Sequence, residues 1–257
     1  MLSDHRAAHA SLVPVRSPIE AAILDLDGTL VDTLDDFVAA LNLTLGEFAQ
    51  GRDAPRVDRA AVARLVGKGS EHLLRSVLNM PQAKVPLARF AINPEALAEL
   101  MASYQRHYRA VNGRHARVYP GVAEGLALLE RRGLPLACAT NKPTEFARAL
   151  LGTKGLARHF RFVFGGDAFA RGKPDPLPLL QACAALGTTP ARTLMIGDSR
   201  NDAQAARGAG CPVLLLSYGY NHGEPVHGVG ADGVIDSLAE VDAWLDRRVR
   251  AGPPASG

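Results

Sequence analysis

Apolar residues follow two different spacings along this chain, and the change of spacing divides it into two parts. Between residues 34 and 111 the apolar positions recur three and four residues apart, which is the spacing of one helix face. From about residue 115 onward, short continuous apolar runs alternate with further helical stretches. The pattern therefore predicts a helical unit followed by a region of alternating strands and helices.

The helical part is predicted to begin directly after one short apolar strand, Ala21–Leu24. Thr33 and Asp36 have the spacing of a capping box, and the first helix extends from there to Phe48. Further helices are expected near 58–66 and 70–78, and a last one between the cap at Asn93 and the stop at 112–113. Because each helix has one apolar face, the helices need one another for burial, which predicts a compact all-α insert.

The alternating part predicts the rest of a sheet. Strands are expected at 134–139, 162–164, 193–196, 213–216 and 234–235, with helices at 121–132, from 144, at 174–186 and at 201–209. Strands joined by helices of this length imply right-handed crossovers and a parallel arrangement. The expected fold class is α/β, a doubly wound, Rossmann-like parallel sheet. Its core comprises residues 19–35 and 115–250, the inserted helical unit 36–114, and flexible tails 1–18 and 251–257.

Composition excludes several classes of function. The chain has 257 residues, 47% of them hydrophobic, and a net charge of +3, which gives no electrostatic reason to expect nucleic acid or a membrane as partner. No apolar run has the length of a membrane span, and the first twenty residues lack the apolar core of a signal peptide. The cysteines form no paired motif, so a reducing cytoplasm is expected. Composition leaves the oligomeric state open.

The first candidate chemistry lies at the end of the first strand, in the run DLDGTLVDT of residues 25–33. Side chains two apart on a strand share a face, so Asp25 and Asp27 would emerge together at its carboxyl end, where open α/β sheets bind ligands. Like charges this close need a metal cation, a shared proton or a strongly polar site. The alternative is an ordinary hairpin, because Asp27–Gly28 is also a strong hairpin signal.

Three later strand ends or helix starts also carry polar residues. Thr140 and Asn141 close the second strand, where backbone N–H groups would face an anion, although Thr140 alone would serve equally as a helix cap. Lys173 precedes a helix that Pro174 is expected to open; a lone lysine is usually solvated. Two acids four residues apart, at 198 and 202, could reach one Mg²⁺ ion, or could each cap the helix that follows.

These four motifs, in this order, resemble those of the haloacid-dehalogenase-like superfamily of phosphatases. The resemblance implies that Asp25 is the nucleophile of an aspartyl-phosphate intermediate and that Asp27 is the general acid and base. It also implies that the helical insert is a type-1 cap. The implied phosphate ligands are Thr140, Asn141 and Lys173, and the implied Mg²⁺ ligands are Asp25, the Asp27 backbone carbonyl, Asp198 and Asp202.

A narrower resemblance, to the bacterial phosphoglycolate phosphatase family, rests on residues 141–144, 165–167, 173–176, 197–202 and 217–221. It implies a small phosphorylated acid, 2-phosphoglycolate, as substrate. Gly67, Lys68 and Gly69 resemble a glycine-rich specificity loop in which Lys68 would pair with the substrate carboxylate; a solvated loop lysine is as good an interpretation. Sugar phosphates such as N-acetylmuramate 6-phosphate are the nearest alternative substrates. A receiver-type signalling module is the alternative of another class.

Overall fold

The computed structural model describes residues 18–49, 54–81 and 93–250. Nearly all of the two predicted tails, residues 1–17 and 251–257, lies outside the described residues. Within the described part of the chain, no helix is both long and apolar enough to cross a membrane.

Strands and helices alternate along most of the described chain. In chain order the elements are β1 Ala21–Leu24, β2 Val31–Asp32, α1 Leu34–Phe48, α2 Arg59–Ala63, α3 Ser70–Leu78, α4 Pro94–Val111, β3 Arg117–Val118, α5 Val122–Arg131, β4 Leu136–Ala139, α6 Thr144–Thr153, β5 Phe162–Phe164, α7 Leu177–Leu186, β6 Thr193–Gly197, α8 Arg200–Ala209, β7 Val213–Leu216, β8 Gly233–Ile235 and α9 Val241–Arg250.

Six strands form one parallel sheet in the order β5-β4-β1-β6-β7-β8. The central strand β1 pairs with β4 on one side and β6 on the other, with Leu24 opposite Cys138 and Ile196. Helices cover both faces, so the central strands are buried and almost entirely apolar, as buried parallel strands are expected to be. The predicted α/β class and doubly wound parallel sheet are confirmed. The carboxyl ends of β1, β4 and β6 lie side by side at one edge.

The four helices α1 to α4 pack on one another around a shared apolar cluster. Leu41, Leu74, Tyr104 and Tyr108 are among its buried members, and none is more than 1% exposed. Phe146 of α6 joins the same cluster, with its ring 5.1 Å from that of Tyr108. The helical unit therefore rests on the sheet-containing part of the molecule through apolar side chains.

A two-stranded antiparallel ribbon lies where the chain passes between the helical unit and the sheet. Val31 of β2 is opposite Val118 of β3, and Asp32 is opposite Arg117. The apolar pattern missed both strands, because a strand of two residues is too short to show alternation. The ribbon places the two crossings of the chain next to each other.

The predicted capping box at Thr33 and Asp36 is wrong. The Thr33 hydroxyl donates instead to Asp27 Oδ1, at 2.7 Å. The Asp36 carboxylate is fully buried and accepts the backbone N–H groups of Gly113 and His115, at 2.7 and 2.8 Å. Both side chains bond to groups outside the first turn of α1 and not to each other's backbone. Asp36 thereby connects the start of α1 to the segment that follows α4.

Two predicted boundaries also shift. The helix after Lys173 begins at Leu177 instead of Pro174, because the Asp175 carboxylate accepts the Leu177 N–H and Asp175 N–H closes a turn onto Gly172. β4 begins at Leu136 instead of Leu134, because the Leu134 N–H still bonds back to Leu129 at the end of α5. Both changes leave the polar residues at the strand ends where the sequence placed them.

Candidate active site

The turn after β1 brings its aspartates against the end of β6. The Asp25 N–H donates to the Ile196 carbonyl at 2.9 Å, which fixes the chain beside the neighbouring strand. Gly28 then takes a φ of +87°, and a Cβ there would lie 2.5 Å from Asp198 Oδ2. A side chain at position 28 would therefore be both strained and in collision with an acid of the fourth motif.

Three acids gather at this edge of the sheet. One carboxylate oxygen each of Asp25, Asp198 and Asp202 lies within 4.8 Å of the others. Asp198 is held by the Thr29 hydroxyl and the Tyr220 N–H, both at 2.8 Å. The arrangement follows from the adjacency of β1 and β6, since residue 198 directly follows β6 and residue 202 lies in the first turn of α8.

Asp202 is engaged on both carboxylate oxygens. Its Oδ2 accepts from the Ser199 hydroxyl at 2.7 Å and from the Ser199 N–H at 3.1 Å, in a capping box at the start of α8. Its Oδ1 accepts from Lys173 Nζ at 2.6 Å. Asp202 therefore caps the helix, as one of the two interpretations expected, and its carboxylate also belongs to the cluster of three acids.

Lys173 provides the positive charge nearest to this cluster. Its Nζ lies 2.8 Å from Asp25 Oδ1, and the side chain is only 2% exposed. Burial would lower the pKa of Lys173, but the carboxylates of Asp202 and Asp25 together raise it, so the lysine stays charged. Lys173, which the resemblance implies as a phosphate ligand, is thus a buried cation in contact with Asp25 and not a solvated lysine.

The donor set fits a hard divalent cation. Asp25 Oδ1 is buried and receives no well-directed hydrogen bond, despite the nearby Lys173. Burial raises the pKa of Asp25 to about 6, and burial with the charges of Asp202 and Asp25 raises the pKa of Asp198 well above its ordinary value. Carboxylates crowded in this way favour a bound cation, and an all-oxygen set suits Mg²⁺.

Thr140 and Asn141 line the same cavity, after the end of β4. Thr140 is buried, and its hydroxyl accepts the Lys142 N–H at 3.3 Å. Asn141 Nδ2 donates to two carbonyls, that of Lys173 at 2.7 Å and that of Gly67 at 2.8 Å. The amide of Asn141 therefore joins the third motif to the loop of the helical unit.

Asp27 faces Lys142, which belongs to the run 141–144 of the family resemblance but to which that resemblance assigned no role. Lys142 Nζ lies 2.9 and 3.2 Å from the two Asp27 carboxylate oxygens and 2.6 Å from the Tyr108 hydroxyl. The apolar pattern gave no signal for this lysine, because it lies in the loop between β4 and α6 and meets Asp27 only across 115 residues of sequence. Asp27 and Asp25 are thus each paired with a different buried lysine.

The predicted specificity loop closes one side of the cavity. Gly67 and Gly69 line it, and the Gly67 carbonyl also accepts from Asn201 Nδ2 at 3.1 Å. Lys68 is exposed and is not among the residues that line the cavity. The structure brings Gly67 and Gly69 to the acids of the sheet edge and leaves the Lys68 side chain in solvent.

Comparison with known proteins agrees with this geometry. The family model of the haloacid dehalogenase-like hydrolases matches residues 19–210. The chain belongs to this family of hydrolases, as its parallel sheet and the acids at its edge already indicated. The membership contradicts the receiver-module alternative.

Named relatives are similar over most of their length. The chain is 43% identical over 223 residues to a phosphoglycolate phosphatase of Thiobacillus denitrificans, covering 87% of this chain and 94% of that one. It is 40% identical over 234 residues to a plasmid-borne phosphoglycolate phosphatase of Cupriavidus necator, covering 91% and 96%. A crystal structure of a predicted phosphoglycolate phosphatase from Haemophilus somnus is similar with a TM-score of 0.79 at 30% identity, covering 87% and 96%.

Proposed function

We propose that this protein is a Mg²⁺-dependent phosphatase that hydrolyses 2-phosphoglycolate to glycolate and phosphate through an aspartyl-phosphate on Asp25. The observation that carries the proposal is the meeting of Asp25, Asp198, Asp202 and Lys173 at one sheet edge, with Asp27 beside them on a separate lysine. Such a site suits phosphoryl transfer, which depends mainly on positioning and on charge stabilisation.

The reaction would proceed in two displacements. A carboxylate oxygen of Asp25 attacks phosphorus, the ester P–O bond breaks, and the departing alkoxide takes a proton from Asp27. Asp27 then accepts a proton from water as the water oxygen attacks the phosphoryl group. The P–O bond to Asp25 breaks, which releases inorganic phosphate and regenerates the Asp25 carboxylate.

The other residues of the site would hold the phosphoryl group. Lys173 and Thr140, with the Asn141 N–H, would bind its oxygens, since all three residues line the cavity. Asp25, the Asp27 backbone carbonyl and Asp198 would hold Mg²⁺, and Asp202 would orient that set. When bound, the ion would offset the negative charge of nucleophile and phosphate.

The substrate is supported by the relatives named phosphoglycolate phosphatase at 43% and 40% identity. A sugar phosphate is the second candidate, because residues of α1, α3, α4 and the loop before α3 line the cavity opposite the acids, and contacts on that side select the leaving group. A cytoplasmic site of action agrees with the three free cysteines.

A substrate screen tests the proposal. The purified protein with Mg²⁺ should hydrolyse 2-phosphoglycolate with a higher kcat/KM than any other small phosphorylated acid or sugar phosphate, and should also turn over p-nitrophenyl phosphate. A preference for a sugar phosphate would overturn the substrate but keep the mechanism. Failure to hydrolyse any phosphomonoester would overturn both.

A further inference from the structure

Lys142 is a buried cation at the boundary between the sheet and the helical unit. Its side chain is 2% exposed and pairs with Asp27, which is itself only 10% exposed. The ammonium group lies 4.7 Å from the ring centroid of Phe37 and 4.8 Å from that of Tyr108. The aromatic faces and the Tyr108 hydroxyl come from α1 and α4, so the helical unit fixes the position of this charge.

Positive charge is scarce in the cavity. Among the described residues that line it, the lysines are Lys142 and Lys173. Lys173 pairs with Asp25 and Asp202 and is already assigned to the phosphoryl oxygens, away from the leaving group. His222 also lines the cavity, but burial, and after it the charge of Lys68, lowers its pKa, so it is neutral near pH 7.

The proposed substrate requires a second cation at a defined place. In 2-phosphoglycolate the carboxyl carbon is two covalent bonds from the ester oxygen that leaves. A proton donor must lie within about 3 Å of that oxygen, so the carboxylate must come to rest close to Asp27. Lys142 Nζ is already 2.9 Å from Asp27 Oδ1, whereas Lys68 lies outside the lining of the cavity.

We propose that Lys142 binds the carboxylate of the leaving group and so determines the preference for a phosphorylated acid. The inference rests on the proposed function, because it names the group of that site that reads the substrate. Lys142 would share its hydrogen bonds between Asp27 and the substrate, while Tyr108 and Phe37 hold the ammonium group in place. The carboxylate is thereby recognised from the sheet side of the cavity, below the loop at 67–69.

This assignment is tested by a cycle analogous to a double-mutant cycle, in which one change is made in the enzyme and the other in the substrate. Lys142→Met and the wild type are assayed on 2-phosphoglycolate and on 2-phosphoglycolamide, which has the same shape without the charge. In the wild type, replacing the carboxylate with the amide should lower kcat/KM by about tenfold to 100-fold, as expected for loss of one charge-assisted hydrogen bond. In Lys142→Met the two substrates should be hydrolysed about equally.

Two further variants control for indirect effects. Lys142→Arg keeps the charge and should keep most of the discrimination between the two substrates, with circular dichroism confirming the fold of each variant. Lys68→Ala removes an exposed lysine from the neighbouring loop and should leave the discrimination unchanged. Binding of the two substrates to the inactive Asp25→Asn protein, with and without Lys142→Met, measures the same preference without turnover.

The outcomes separate the inference from the proposed function. If Lys142→Met slows both substrates by the same factor and the binding preference survives, Lys142 only positions Asp27 and the inference fails. If Lys68→Ala abolishes the discrimination and Lys142→Met does not, the role belongs to Lys68. If the wild type does not distinguish the acid from the amide and prefers another phosphomonoester, the proposed substrate itself fails.

Discussion

Asp25 and Asp27 are two residues apart, yet each is paired with a different lysine. Asp25 lies beside Lys173, close to the other acids, whereas Asp27 is held by Lys142 and by the Thr33 hydroxyl. Two carboxylates in different surroundings can take different roles in one reaction. The pairing therefore supports the two different roles that the family resemblance implies for Asp25 and Asp27.

Substitution of Asp25 and substitution of Asp27 by asparagine should have different effects on turnover. Asp25→Asn should abolish turnover of every substrate and trapping of phosphate on the protein, because an amide is a poor nucleophile.

Asp27→Asn should lower kcat for 2-phosphoglycolate by about 10²- to 10⁴-fold, the range for lost general acid–base catalysis. Because p-nitrophenolate leaves without a proton, formation of the phosphoryl-enzyme from p-nitrophenyl phosphate should be much less affected. Stopped-flow release of p-nitrophenol measures that step.

Residual turnover in Asp25→Asn, or labelling of another residue by phosphate, would contradict the assignment of the nucleophile. An equal loss in Asp27→Asn for the two leaving groups would remove Asp27 from the role of proton donor.

At the scale of elements, the start of α1 is held by contacts far away in sequence. The buried Asp36 carboxylate accepts two backbone N–H groups from the segment that follows α4. The β2–β3 ribbon joins the same two segments by backbone pairing. The two crossings between sheet and helical unit are thus joined by both side-chain and backbone hydrogen bonds, which fixes the angle at which α1 leaves the sheet.

Asp36→Asn should therefore destabilise the protein. The amide NH₂ would face one of the two backbone donors, and a buried donor left unpaired costs about 1–3 kcal/mol in the free energy of unfolding. Asp35→Asn is the matched control, because Asp35 is a half-exposed neighbour whose carboxylate pairs with Arg59 at the surface. Urea denaturation of the two variants measures the difference. Equal destabilisation by both would show that the Asp36 contacts contribute little.

At the scale of the whole molecule, the site exists because separate segments meet at one edge. Two acids follow β1 and two lie after β6, while Lys173 comes from the loop before α7. From the helical unit, the Gly67 carbonyl reaches Asn141 and Asn201 of the sheet side. The loop of the helical unit is thus hydrogen-bonded to one residue of the second motif and to one residue within the fourth.

Removal of divalent cations should abolish activity and lower stability together. Activity should vanish with a chelator and return with Mg²⁺, whereas Ca²⁺ should restore it poorly because of its larger, looser coordination shell. Mg²⁺ should also raise the Tm, since a ligand of the folded state stabilises it. In Asp198→Asn this rise should be lost, which calorimetry would detect. Full activity after exhaustive chelation would overturn the metal requirement.

The sequence by itself determined that the sheet is parallel, the order of strands and helices along the chain, and the places where polar residues end the strands. The reason is that the spacing of buried positions is a local property: the strand Ala21–Leu24 and the helix Pro94–Val111 can be recognised without knowing what they pack against. The polar residues at the strand ends were noticed in the same way, because parallel strands deliver their carboxyl ends to one edge, but their roles came only from the family resemblance.

The tertiary structure decided how those residues are paired. The Thr33–Asp36 capping box was wrong because distant backbone donors compete for Asp36, and the β2–β3 ribbon depends on a pairing across more than eighty positions. The Lys142–Asp27 pair joins residues 115 positions apart, which no spacing can indicate. Local patterns fix which residues reach the sheet edge, but the choice of partner for each charge depends on long-range packing, and only the folded chain shows it.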